Sequence, residues 1–173
     1  LFGSGALYGA KFPDGKGLIL GDDLKLEICE QFLGGEYREE TLQFVSELAI
    51  NKCGLFKLQD FIAEKFDGVE PGEFHKKIAQ FKWRALFSTN YDLLIEDSYR
   101  LATDSLQKCR SIVSNNDPLD EASRTDEFVP LVKLHGCVTR RRDMAIPLIL
   151  TIDQYNDCLA NRDRLFKFLY QVA

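Results

Sequence analysis

The sequence has no apolar run long enough to cross a bilayer, and it has no internal repeat. No uninterrupted apolar stretch in its 173 residues approaches the roughly 20 that a transmembrane helix needs. There is also no heptad pattern and no low-complexity tract. The net charge of −5 has the wrong sign for holding a phosphate backbone through bulk charge. We therefore expect neither a membrane nor a nucleic acid as a direct partner.

Metal-binding and disulfide patterns are missing as well. The five cysteines are scattered and contain no C-x-x-C pair, and only two histidines accompany them. A structural zinc site and a disulfide framework both require denser ligand spacing than this. We expect no metal, and we expect thiols that stay reduced, which indicates a cytoplasmic location. A secretory signal would begin with basic residues followed by an apolar stretch, and the sequence does not have this pattern.

The composition is that of a folded domain. Hydrophobic residues make up 45% of the chain and charged residues 28%, which is enough apolar surface for a packed core. The length corresponds to one ordinary domain. Because the chain opens on Leu1 with no initiator Met, we expect residues 1–173 to form one domain of a larger protein.

Short apolar runs alternate with helical patterns along the chain. Three such runs predict buried strands, at residues 83–88, 129–134 and 146–150. Apolar residues at four-residue spacing predict helices after them, and four further helices between about 23 and 81. We predict an α/β fold, with a Rossmann-like parallel sheet flanked by helices and a helical insertion at about 23–81.

Some local features are predicted more finely. A helix is expected over 92–106 with Asp92 as its N-cap, followed by a polar loop over 114–127. Trp83 is predicted in the core and His75 at the surface.

Glycines and polar residues follow the predicted strand ends. Gly3-Ser4-Gly5 opens a loop with five glycines between residues 3 and 17, and only two residues of a preceding strand remain before it. Thr89-Asn90-Tyr91-Asp92 and Lys133-Leu134-His135-Gly136 follow two further strands. Ligands of open parallel sheets bind at the carboxyl ends of strands. If the strands are adjacent, the three segments converge on one crevice.

The glycine loop has two interpretations. Its backbone N–H groups are able to approach a pyrophosphate, although the same spacing is common in ordinary turns. A dehydrogenase would place a ribose-binding acid near Asp22 and Asp23, but these two residues resemble a helix start. That argues against hydride transfer.

The polar residues at the other two strand ends also leave alternatives open. The amide of Asn90 suits a sugar hydroxyl or a water, or it satisfies its own turn. His135 is a candidate general base or a hydrogen-bonded core histidine, and nothing marks the nearby Cys137 as an activated nucleophile. The basic cluster at 140–142 is a solvated face or a contact for an anion.

The order of these segments resembles the sirtuin-like family, and within it the bacterial branch found in antiphage defence proteins. The resemblance is carried by the Gly-Ser-Gly loop with a Pro-Asp nearby, by Ser-Thr-Asn-Tyr-Asp at residues 88–92, and by Leu-His-Gly at 134–136. A helix start with Thr151 and Tyr155 also matches the branch.

The resemblance implies a NAD+ hydrolase that cleaves the nicotinamide–ribose bond, acting as an effector of bacterial antiviral defence. By the same resemblance, Asn90 positions the nicotinamide ribose and the attacking water, and His135 is the catalytic base. The expected NAD-binding residues are Gly3, Ser4, Gly5, Pro13, Asp14, Thr89 and Asp92.

The resemblance also bears on partners and alternatives. It implies a homo-oligomer controlled by further domains of the same polypeptide or by a phage-derived activator. The family's protein deacylases carry four zinc-binding cysteines after the His-Gly, whereas only Cys137 and Cys158 follow here, which disfavours zinc-dependent deacylation. A NAD- or ADP-ribose-binding sensor without catalysis, and a deacylase or ADP-ribosyltransferase, remain the alternatives.

Overall fold

Three parallel strands and eight α-helices make up the part of the chain that the structure describes. The computed structural model describes residues 1–13, 20–123, 125–145 and 147–172. The strands are β1 (Leu86–Ser88), β2 (Lys108–Ile112) and β3 (Phe128–Lys133). The helices are α1 (Gly21–Leu33), α2 (Leu42–Cys53), α3 (Leu55–Lys65), α4 (Glu73–Lys76), α5 (Leu94–Leu101), α6 (Leu119–Ser123), α7 (Ile152–Asn161) and α8 (Asp163–Val172). None of the helices in these ranges has the length and apolarity needed to span a membrane.

The sheet has the strand order β1-β3-β2, and every pairing is parallel. The middle strand β3 pairs with both neighbours, with Leu131 opposite Leu86 on one side and Phe128 opposite Lys108 on the other. Phe2 adds an isolated parallel bridge to Ser88, on the free edge of β1. The predicted α/β fold with a Rossmann-like parallel sheet is confirmed.

Helices cover both faces of this sheet. Leu131 of β3 packs in a cluster with Ile95 of α5, whereas its neighbour Val132 packs with Leu165 of α8. Successive side chains of a strand point to opposite faces, so a strand covered on both sides is apolar at consecutive positions. Each fully buried aliphatic side chain contributes about 1.5–3 kcal/mol to folding.

The helical insertion predicted at about 23–81 corresponds to α1–α4. It has a core of its own, built from Leu24, Ile28, Val45, Leu58 and Ile62, among others. Leu148 and Leu150, from the far end of the sequence, complete that core. The insertion is therefore packed onto a segment that lies just beyond the sheet.

The strand predicted at 146–150 is wrong. Residues 147–150 belong to no strand, although Leu148, Ile149 and Leu150 are buried, and Ile146 lies outside the described residues. The backbone N–H of Leu148 donates to the side-chain oxygen of Gln59 at 2.7 Å, and that of Ile149 donates to the carbonyl of His135 at 3.0 Å. Because these partners lie outside the sheet, the apolar segment does not join it.

The third strand is β2, which the sequence pattern missed. Its side chains are mostly polar because it lies at the edge of the sheet, where Lys108 pairs with Glu127 at 2.7 Å and Arg110 with Glu121 at 3.6 Å. Charged side chains are common on edge strands because they discourage pairing with other chains. A search for apolar runs does not detect such a strand.

Four finer predictions also need correction. The helix expected over 92–106 is the shorter α5, and the loop expected over 114–127 contains the short helix α6. Trp83 is 39% exposed, and its indole N–H donates to the carbonyl of Ile78 at 2.8 Å. His75 is only 1% exposed, so the predicted positions of these two side chains are reversed.

Replacing Gln59 should destabilise the fold. Its fully buried amide accepts from the N–H of Leu148 and donates to the carbonyl of Arg141, both at 2.7 Å. In Gln59→Met both backbone groups lose their partner, which costs roughly 2–4 kcal/mol of the free energy of unfolding. Denaturant unfolding measures this loss, with the exposed Gln31→Met in α1 as the matched control. Equal stability of the two variants would contradict the bridging role of Gln59.

Candidate active site

The three segments singled out in the sequence meet at the carboxyl edge of the sheet. The N–H of Thr89 donates to the carbonyl of Phe2 at 3.0 Å, and the N–H of Leu134 donates to that of Ser88 at 2.8 Å. The side-chain amide of Asn90 donates to the carbonyl of Gly3 at 2.9 Å. Thus the glycine loop, the end of β1 and the end of β3 lie side by side, as their places after the strands predict.

A cavity of about 190 Å³ lies where they meet. It is lined by Ser4, Leu7, Leu20, Gly21, Leu24, Leu42, Phe66, Thr89, Asn90, Tyr91, Asp92, His135 and Tyr155. Asn90 and His135 therefore face the same space, although they follow different strands. The insertion contributes the apolar part of the wall through α1 and α2.

The His135 ring is partly buried in the cavity wall. It packs edge-to-face against Tyr155, with ring centroids 5.1 Å apart. Burial, reinforced by the positive charge of Arg162, lowers the pKa of His135 from 6.5 to about 4. The imidazole is therefore neutral at physiological pH, and a neutral imidazole keeps one nitrogen lone pair available as an acceptor.

Arg162 holds the backbone around His135. Only 2% exposed, it donates to the carbonyl of Leu134, to that of Lys133 at 3.3 Å and to that of Pro147 at 3.1 Å. No carboxylate pairs with it among the described residues. No sequence pattern marks this residue, because an arginine at the start of a predicted amphipathic helix looks like an ordinary surface residue.

A glycine is required next to His135. Gly136 has a positive φ of 95°, a conformation that other residues rarely adopt. An added Cβ there would also lie 3.0 Å from the carbonyl oxygen of Pro147. The His-Gly pair thus lets the chain turn tightly beneath the segment that Arg162 also holds.

The Asn90 side chain does not serve its own turn. Its Nδ2 reaches Gly3, and its backbone N–H donates to the hydroxyl of Ser88 at 3.0 Å. This arrangement leaves its Oδ1 without a hydrogen bond from any residue described in the structure. The interpretation of Asn90 as a self-satisfied turn residue is therefore wrong.

Asp92 presents a buried carboxylate to the cavity. It is 4% exposed, and its Oδ1 accepts from the N–H of Leu94, two residues further on, at 2.9 Å. The prediction of Asp92 as the N-cap is wrong, because α5 begins at Leu94 and its N-cap is Leu93. Its Oδ2 is buried and has no hydrogen-bond partner among the described residues. A buried polar atom without a partner is uncommon and indicates a place for a ligand or a water.

Lys133, which no sequence pattern marks as functional, holds the backbone of Asp92 through a hydrogen bond. Its ammonium is 1% exposed, donates to the carbonyl of Asp92 and lies 3.6 Å from a carboxylate oxygen of Glu96. Ser111 of β2 donates to the same Glu96 oxygen at 2.8 Å. Although burial acts to lower it, the carboxylates of Glu96 and Asp92 raise the pKa of Lys133, which stays charged.

The structure places only some of the remaining predicted site residues at the cavity. Gly3, Ser4 and Gly5 are exposed, and Ser4 and Thr89 line the cavity. Pro13 lies beside Gly68 of the insertion and not on the cavity wall. Asp14 falls outside the described residues.

Two other candidates from the sequence are not part of the cavity. Cys137 is buried, accepts from the hydroxyl of Thr139 at 3.2 Å and does not line the cavity. The three arginines of the basic cluster at 140–142 form salt bridges with carboxylates of this chain, namely Asp60, Asp117 and Asp143. No group of three potential metal ligands occurs within the ranges that the structure describes.

A larger cleft of about 830 Å³ lies between α3 and α5. Arg141 and Arg142 line it, both paired with Asp60, and it shares Phe66 with the smaller cavity. Asn90, Asp92 and His135 do not line this cleft. We therefore assign the candidate active site to the smaller cavity, where the polar residues of the strand ends converge.

Comparison with protein families identifies the class. The family model described as a SIR2-like domain matches residues 84–173, just over half of the chain. The chain belongs to this family of the sirtuin superfamily, and membership implies an NAD-related function. The matched range contains Asn90, Asp92 and His135 but not the glycine loop. None of the curated proteins compared with the chain matches it.

The proton equilibrium of His135 gives a pH-dependent prediction. Its pKa in the folded protein, about 4, lies below the unfolded value of 6.5, so protonation favours the unfolded chain. The stability that neutral His135 contributes should be complete above pH 6.5 and should be lost as the pH falls through 4. As the pH is lowered from 7 through 5 to 4, the free energy of unfolding should therefore decrease more steeply for the parent than for His135→Asn.

An NMR titration of the imidazole C2 proton checks the same value directly. The resonance that disappears in His135→Asn should titrate near pH 4. Titration near pH 6.5 would contradict the conclusion that burial and the nearby positive charge of Arg162 lower the pKa of this ring.

Proposed function

We propose that the protein is an NAD+ glycohydrolase, which cleaves the bond between nicotinamide and ribose and releases nicotinamide and ADP-ribose. The observation that carries the proposal is that Asn90 and His135 line one cavity at the carboxyl edge of the sheet. Membership of the SIR2-like domain family supports NAD as the substrate.

The proposed reaction makes modest chemical demands on the protein. Nicotinamide in NAD+ carries a positive charge and leaves as a neutral molecule when the glycosidic electron pair moves to its ring nitrogen. Positive charge then develops on the ribose, a water oxygen bonds to the anomeric carbon, and that water loses a proton. The site mainly has to hold the ribose, place one water and accept its proton.

His135 and Asn90 have the properties that these steps require. In the proposal, the neutral imidazole of His135 takes the proton from the water or from a ribose hydroxyl. A pKa of about 4 makes His135 a weak base, so its position beside the reacting atoms matters more than its basicity. The Oδ1 of Asn90 orients the group that loses the proton.

The cavity fits one end of NAD rather than the whole molecule. Its volume of about 190 Å³ is below the roughly 300–1,000 Å³ of typical ligand pockets. In our proposal it holds the nicotinamide ribose, with the unpartnered Oδ2 of Asp92 accepting from a ribose hydroxyl. The phosphates and adenosine would lie along Gly3-Ser4-Gly5, where a Cβ added to Gly5 would meet no atom within 4 Å.

The biological setting is also a proposal. The segments at 88–92 and 134–136 resemble those of the bacterial antiphage branch. We propose that residues 1–173 form the NAD-hydrolysing domain of a larger cytoplasmic effector that depletes NAD during infection. It would act as a homo-oligomer and would stay inactive until further domains of the same polypeptide or a phage-derived activator signal infection.

Alanine variants test the assigned roles. Asn90→Ala and His135→Ala should each lower nicotinamide release by about 10²- to 10⁴-fold, the usual contribution of a positioned proton-transfer group. The exposed Asn51→Ala in α2 is the matched control and should behave like the parent. Chromatographic quantification of nicotinamide and ADP-ribose measures the rates, with circular dichroism to verify folding.

Several results would contradict the assignment. If both variants turned over NAD like the parent, Asn90 and His135 would not be the reacting residues. NAD binding in calorimetry without any product would favour a sensor module. Nicotinamide release that requires an acylated peptide, or transfer of label to protein, would favour a deacylase or an ADP-ribosyltransferase.

Asp92→Asn tests the substrate contact. The variant keeps an oxygen that accepts from the N–H of Leu94 but replaces the buried oxygen that has no partner among the described residues. A hydrogen bond to a charged group contributes about 1.5–3 kcal/mol, so the KM for NAD should rise roughly 10- to 100-fold. Asp126→Asn, on an exposed side chain near the amino end of β3, is the control. An unchanged KM in Asp92→Asn would refute the contact.

A further inference from the structure

We propose that His75 is a positioning residue that fixes the glycine loop, residues 3–9, at the mouth of the cavity. Its effect on NAD binding rests on the proposed function, whereas its effect on the loop does not. His75 belongs to α4 of the insertion, and its imidazole is 1% exposed. Sequence analysis placed it at the surface.

Both ring nitrogens of His75 make hydrogen bonds to backbone. The N–H of Gly72 donates to Nδ1 at 3.0 Å, so Nδ1 carries no proton. The neutral ring must then carry its proton on Nε2, which lies 2.7 Å from the carbonyl oxygen of Ala6 and donates to it. One side chain thus joins a turn of the insertion to the centre of the glycine loop.

The contact continues to the proposed catalytic amide. Ala6 lies in a short 3-10 turn over Ser4–Leu7, in which its own N–H donates to the carbonyl of Gly3 at 2.8 Å. That carbonyl also accepts from the side chain of Asn90 at 2.9 Å. His75, Ala6, Gly3 and Asn90 therefore form one continuous series of contacts across the cavity mouth.

Backbone packing beside His75 points the same way. A Cβ added to Gly72 would lie only 2.3 Å from the carbonyl oxygen of Gly9, so the two segments touch through backbone. Lys11 and Glu70 exchange two backbone hydrogen bonds of 2.8 and 2.9 Å. The carboxyl end of the loop is thus attached to the insertion through backbone. Among these contacts, His75 supplies the one polar side chain that reaches the loop's centre.

Two substitutions separate the two bonds of His75. The amide nitrogen of Gln reaches about as far as Nε2, so His75→Gln can keep the donation to Ala6. The shorter Asn places its oxygen near Nδ1, so His75→Asn can keep the acceptance from Gly72 but cannot reach Ala6. The two variants are matched, since each loses one hydrogen bond of the same buried side chain.

Amide hydrogen exchange without NAD tests the contact itself. Exchange over residues 3–10 should be at least tenfold faster in His75→Asn than in the parent, and close to the parent in His75→Gln. In NAD hydrolysis, His75→Asn should raise the KM roughly tenfold while kcat stays within about threefold. A purely structural role would lower the melting temperature of both variants equally and leave loop exchange and KM unchanged, which would overturn the proposal.

The parent protein provides a test that does not depend on the variants folding. The ¹⁵N chemical shifts of the His75 imidazole should report a proton on Nε2 and none on Nδ1, and the opposite tautomer would overturn the proposal. If the parent hydrolyses no NAD even in the activated full-length protein, the proposed function fails, while the exchange and tautomer results still decide whether His75 fixes the loop.

Discussion

The site depends on the hydrogen bonds that the buried guanidinium of Arg162 donates to the backbone around His135. The guanidinium donates to carbonyl oxygens of Lys133, Leu134 and Pro147, which belong to the end of β3 and to the segment that returns beside it. Burying a cation is costly unless its hydrogen bonds are satisfied, and here three backbone carbonyls satisfy them. Burial lowers the pKa of His135, and the charge of Arg162 lowers it further. Arg162 therefore holds the backbone on either side of the candidate base and also favours its neutral form.

The sequence predicts those strands in which consecutive residues are buried. β1 and β3 are covered on both faces, so their apolar runs indicated strands correctly. β2 was missed because an edge strand with charged side chains has no such run. The run ending at Leu150 was assigned to the sheet in error, because the side chain of Gln59 takes the place of a neighbouring strand. A partner distant in sequence leaves no periodic signal.

The same distinction applies to the site. Position after a strand end predicted that Asn90 and His135 would approach each other, because parallel strands end at a common edge. Arg162, Lys133 and His75 were not found, since each is a polar side chain buried by residues from another part of the chain. Local patterns treat such residues as exposed. Their partners are mostly backbone carbonyls, which every sequence has and which therefore carry no sequence information.

The segment 147–150 has a consequence for how the molecule responds to force or heat. Leu148 and Leu150 belong to the core of the insertion, while the intervening Ile149 bonds to the carbonyl of His135. The insertion and the sheet cannot unfold separately, because unfolding of either one would expose part of the segment 147–150. Insertion and sheet should accordingly melt in a single cooperative transition, and any shift of the insertion is transmitted mechanically to the backbone of His135.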